Sequence, residues 1–86
     1  MTQQEFADRV AELVRGLTGA EETNGVLFDT GQQVGVAIKF ADYPKRHAKR
    51  EFLGLSPIFE ESEAERVALE LAHYFNGWHT WVLRDA

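Results

Sequence analysis

Eighty-six residues with no cysteine, two prolines and 44 % hydrophobic content exclude a disulfide scaffold, a thiolate metal site and a disordered chain. They suit one domain, residues 1–86, with a two-layer core. A formal net charge of −5 and a pI near 5.1 point away from a free nucleic-acid-binding domain, which gains affinity by replacing counterions on phosphates and is usually basic. No apolar run approaches the roughly 20 residues that span a bilayer, and "MTQQEFADRV" lacks the basic and apolar regions of a signal peptide, so a soluble, cytoplasmic protein is expected.

The spacing of Phe6, Val10, Leu13, Val14 and Leu17 predicts an amphipathic helix over residues 2–17. Thr2 and Glu5 have the capping-box spacing that starts it, and Gly16 and Gly19 end it. "LTGAEETNG" then reads as a polar loop.

"VLFDTGQQVGVAIKFA" reads as a β-hairpin around Thr30-Gly31. Its second strand gathers Val34, Val36, Ile38 and Phe40 on one face, against Gly35, Ala37 and Lys39 on the other. A two-residue loop would set Leu27 opposite Val34 and leave Phe28 on the thin Gly35/Ala37 side. A three-residue loop or a bulge sets Phe28 opposite Val34 and Val26 opposite Val36, and is the expected register because it keeps the large apolar residues together.

"YPKRHAKREF" follows, with Lys45, Arg46, Lys49 and Arg50. Subtracting their +4 from −5 leaves −9 on the rest of the chain. Residues 50–55 have the composition of a short third strand, stopped by Ser56-Pro57. Ser62 and Glu65 give a second capping box ahead of a stripe at Ala64, Val67, Ala68, Leu71, Ala72 and Phe75. Asn76-Gly77 reads as the stop of this helix, and "WHTWVL" as a closing strand rich in residues that favour a pleated surface.

The expected fold is therefore α+β, an antiparallel sheet of three to four strands with two helices on one face, in the order α-β-β-(β)-α-β. The first five elements are also ordered as in double-stranded-RNA-binding domains. The lysine-rich start of the second helix in those domains is here "EESEAE", and the chain is not assigned to that family.

No Gly-x-Ser-x-Gly elbow, phosphate-cradling glycine loop, nucleophilic cysteine or HExxH is present. His73 and His79, set on either side of the Gly77 turn, are two ligands where zinc wants three or four, so neither a metal nor a cofactor is expected. Glu60, Glu61, Glu63 and Glu65 crowd a helix start, where the dipole favours negative charge. A surface that presents charge as a phosphate backbone does is the alternative for them, and Arg66 interrupts it.

Trp78 and Trp81 have opposite parity on the expected last strand, which leaves one of them exposed, together with Tyr43 or Tyr74. Exposed Trp beside Arg is the composition of interface anchors. The expectation is a small acidic, non-enzymatic protein-binding domain, an accessory regulator or inhibitor of the kind phages and mobile elements encode. Its partner-binding residues are Tyr43, Lys45, Arg46, Lys49, Arg50, Trp78 and Trp81. The alternative is a nucleic-acid-binding module that uses the stretch 45–50 and an exposed Trp. A third reading pairs the chain with itself.

Overall fold

The computed structural model describes residues 1–28, 33–41, 49–54 and 59–85; for residues 28, 33, 49–54 and 76–85 it describes the backbone alone. The fold is α+β. Its elements are α1 (Gln3–Thr18), β1 (Glu22–Phe28), β2 (Gln33–Lys39), β3 (Lys49–Gly54) and α2 (Glu61–Asp85). The strands form an antiparallel sheet in the order β1-β2-β3.

The start of α1 is as its sequence dictates. Thr2 Oγ1 accepts from the Glu5 backbone N–H at 3.1 Å, and the Thr2 N–H donates to Glu5 Oε1 at 2.8 Å. The Thr2 backbone N–H, and after it the Thr2 hydroxyl, hold the Glu5 carboxyl below its ordinary value. At the other end Gly16 stays inside the helix, while Gly19 caps it in the left-handed conformation, φ 71°, with its N–H bonded to Arg15 O at 3.0 Å. The buried stripe of α1 is Phe6, Ala7, Val10, Ala11 and Val14. Leu13 is only partly buried and Leu17 is 47 % exposed, so the stripe is centred one position away from the leucines the sequence reading included.

β1 begins at Glu22, inside the stretch read as a loop. In β2, Val34, Val36 and Ile38 are buried, as is Phe40 just beyond it. They join one core with α1 and with Ala64, Val67, Ala68, Leu71 and Phe75 of α2, so both helices lie on this face of the sheet.

The hairpin register is the even one, which corrects the expectation. Leu27 pairs with Val34, Val26 with Gly35 and Phe28 with Gln33. Thr23, Gly25 and Leu27 therefore share the helix-covered face, and Val26 and Phe28 occupy the opposite register positions. The physical reason is how closely α1 lies on β1. A Cβ placed on Gly25 would stand 2.5 Å from the carbonyl carbon and oxygen of Ala7 and 2.8 Å from the Asp8 nitrogen. Thr23 Oγ1 donates to Ala11 O at 2.8 Å beside it. The middle of β1 must be small, not large, on its inner face. The Thr30-Gly31 turn lies outside the described residues.

The last segment is a second correction. Residues 76–85 continue α2, so there is no closing strand, and Asn76-Gly77 does not stop the helix. α2 also starts at Glu61, which puts Ser62 in its first turn instead of at its cap. With residues 61–75 already helical, the nucleation cost has been met, and each further residue gains an i to i−4 hydrogen bond for a local cost of about 1 kcal/mol at Gly77. A strand there would need a partner edge.

Candidate functional site

α1 and α2 run parallel, as three contacts show. The Phe6 and Phe59 rings meet edge to face with centroids 5.3 Å apart. Arg9 Nε donates to Glu61 Oε1 at 2.7 Å. One and two turns further on, Leu13, Leu17, Glu65, Ala68 and Leu69 line a cleft of about 230 Å³ between the helices. The hydrogen bond to Glu61 also raises the Arg9 guanidinium above its ordinary value, and it ties the seam at this end.

Within the cleft, Leu17 is 47 % and Leu69 60 % exposed. Its volume is below the roughly 300 Å³ at which small-molecule sites begin, and suits one or two side chains. Two other hollows lie between α1 and β1. One is lined by Arg15, Glu21, Glu22, Thr23 and Asn24, and the other by Asp8, Glu12, Arg15 and their neighbours. The first lining is mainly polar and the second is nearly even between polar and apolar surface, unlike the mainly apolar seam.

The acidic start of α2 is largely used within the chain. Glu61 is held by Arg9, and Arg66 bonds Glu63 at 2.6 Å and Glu70 at 2.9 Å. The Glu63 bond, then the Glu70 charge, raise the Arg66 guanidinium above its ordinary value. Among the described residues Glu65 has no ion-pair partner and borders the leucine cleft. An unbroken row of bare anions is not what this helix offers.

The partner-binding residues read from the sequence are placed as follows. Tyr43, Lys45 and Arg46, with His47, lie outside the described residues. Lys49 and Arg50 open β3, opposite Ile38 and Ala37 respectively, so they take register positions on opposite faces of the sheet. Trp78 and Trp81 stand three residues apart on α2, and the parity argument that would expose one of them does not apply. His73 is exposed and His79 is six residues further along the same helix, not across a turn. Among the described residues no group of three or more His, Cys, Asp or Glu could hold a metal ion.

The seam leucines were missed. Spacing sets Leu17 on the apolar stripe of α1, and the α2 stripe leaves Leu69 out. The available signal was that Leu69 lies off the stripe at 64, 67, 68, 71, 72 and 75, and so needs some other cover.

No family model, curated protein or solved structure matches this chain. Among the described residues no helix is long and apolar enough to cross a membrane.

Proposed function

We propose that this protein is a small acidic binding domain that acts on another protein by occupying its surface and not by catalysis, as an accessory regulator or inhibitor. The observation that carries this reading is the leucine cleft at the helix seam. Leu17 and Leu69 leave apolar surface in water on two packed helices, with Glu65, which has no ion-pair partner among the described residues, at its border. Exposed apolar surface rimmed by charge is typical of protein interaction sites. The fitting partner surface presents an aliphatic side chain next to a cation, since Glu65 would then be paired on binding. In this reading the basic residues Lys45, Arg46, Lys49 and Arg50 engage acidic groups elsewhere on the same partner and speed the encounter.

The test is capture from the native host with the wild-type protein and with Leu69→Lys in parallel. A stoichiometric protein retained by the wild type and lost with Leu69→Lys, while Leu69→Met retains it, supports the reading. Equal retention by both, or recovery of nuclease-sensitive material only, overturns it.

A further inference from the structure

β1 lies at the edge of the sheet. β2 pairs with one side of it through seven consecutive residues, without a bulge, and among the described residues no strand pairs with the other side. That outer edge is about 23 Å of regular backbone, along which every second residue turns its N–H and C=O away from β2. Sheet edges are ordinarily protected by lysine, proline, a bulge or a short strand. "ETNGVLF" has none of these, and its one charge, Glu22, stands at its end.

The two hollows between α1 and β1, about 460 and 210 Å³, share Arg15, Thr23 and Asn24 and have no lining residue from β2 or α2. They therefore form one trough along the outer side of β1. α1 keeps step with the strand there, running antiparallel to it. Ala7 abuts Gly25, and four residues on, Ala11 O accepts from Thr23, two residues back. Four helix residues rise about 6 Å and two strand residues about 6.7 Å, so Asp8 and Glu12, the next residues after those two alanines, stand level with Gly25 and Thr23. The trough carries Asp8, Glu12, Glu21 and Glu22 against Arg15, which is −4 + 1 = −3. Asp8 accepts from Gln4 at 2.9 Å, Glu12 pairs with Arg9 at 3.4 Å and Glu21 with Lys39 at 3.6 Å, all at the surface, where such partners exchange readily.

We propose that the outer edge of β1 takes up an extended basic segment of another protein as a further strand of the sheet. Backbone hydrogen bonds to β1 hold the segment, and its alternate side chains on the α1 side enter the trough. The two that stand level with Gly25 and Thr23 are two residues apart in the segment and meet Asp8 and Glu12, so the site selects Lys or Arg at positions i and i+2. Charge also argues against a second copy as the occupant. Paired in full antiparallel register about a two-fold at Gly25, the middle of the strand, two copies would bring α1 beside α1 and Asp8 towards Asp8. The trough and the leucine cleft are separate faces, since Asp8 and Leu13 are about 140° apart around α1, as are Glu12 and Leu17.

The test is titration of the full chain, labelled with nitrogen-15, by a short peptide alternating lysine and valine, followed by amide shifts and hydrogen exchange. Two counterparts serve as controls: one with glutamate for lysine, and one N-methylated throughout, which keeps the charge but has no backbone N–H to donate. The lysine peptide is expected to saturate below about 1 mM, to slow exchange of alternate β1 amides, and to bind at least tenfold more tightly than either counterpart. Asp8→Lys with Glu12→Lys should reverse the preference, so that the glutamate peptide binds more tightly. If circular dichroism shows that this pair unfolds the chain, Asp8→Asn with Glu12→Gln takes its place and should weaken the lysine peptide at least threefold. Leu69→Lys should leave peptide binding unchanged, which separates this site from the leucine cleft. No saturation at about 2 mM, equal binding of the methylated peptide, unaltered exchange in β1, or a charge preference indifferent to the Asp8 and Glu12 changes overturns the proposal. So does a dimer of the free chain whose β1 amides are already protected.

Discussion

Replacing Gly25 with alanine gives a direct test of how α1 meets the sheet. The added Cβ would lie 2.5 Å from the Ala7 carbonyl carbon and oxygen, where 3.4 Å is the lower limit of ordinary contact. The obstacle is helix backbone, which has no rotamer to change, so α1 must retreat by nearly 1 Å (3.4 minus 2.5). The Thr23 hydroxyl, 2.8 Å from Ala11 O, would then be pulled beyond hydrogen-bond range. Overpacking of this kind costs about 1 to 3 kcal/mol and the lost bond about 1 kcal/mol more, so Gly25→Ala should lower stability by about 2 to 4 kcal/mol. For a chain of this size that is a fall in Tm of roughly 10 to 25 °C. Urea unfolding followed by circular dichroism reads it, with Gly16→Ala as the counterpart: a Cβ there meets nothing within 4 Å, and the helix should gain about 0.5 to 1 kcal/mol. In the odd register Gly25 would lie on the helix-free face, where a methyl is nearly neutral. A change below about 0.5 kcal/mol for Gly25→Ala would therefore refute both the close approach of α1 and the even register.

Thr23→Val keeps the shape and the β-branch but removes the bond to Ala11 O, and should cost about 1 kcal/mol in the same assay; no loss would mean the hydroxyl is not so engaged. Phe75, fully buried, should cost about 3 to 5 kcal/mol on truncation to alanine, while its neighbour Tyr74, 46 % exposed with its ring edge to face on Phe75, should cost about 1 kcal/mol. Similar losses for the two would place the core on the wrong side of α2. The Glu5 carboxyl is held below its ordinary value by the Thr2 bonds, so its contribution is complete above the ordinary carboxylate range and is lost as pH falls through the lowered folded value. Glu5→Gln should accordingly flatten the acid limb of the stability curve between about pH 5 and pH 3, and parallel curves for the two proteins would exclude that linkage.

What could be read from the chain alone are the features with local causes. The Thr2 and Glu5 box, the Gly19 cap and the buried stripe at 64, 67, 68, 71, 72 and 75 depend on residues within a few positions of one another. The inner face of β2 was legible for the same reason, because a period of two names Val34, Val36, Ile38 and Phe40 whatever they pair with. The register of β1 was not. It is decided by the distance between α1 and the sheet, which selects Gly25 and Thr23 over Val26 and Phe28, and no pattern of hydrophobicity within the strand reports that distance. The end of α2 was not legible either. Tryptophan, threonine and valine favour a strand only where a sheet edge and a half-buried surface await them, and an existing helix satisfies the same backbone groups without either. The seam cleft likewise depends on a helix pairing between residues 52 positions apart: Leu17 and Leu69 are ordinary helix residues in sequence, and line one cleft with Glu65 only when α1 and α2 pack in parallel.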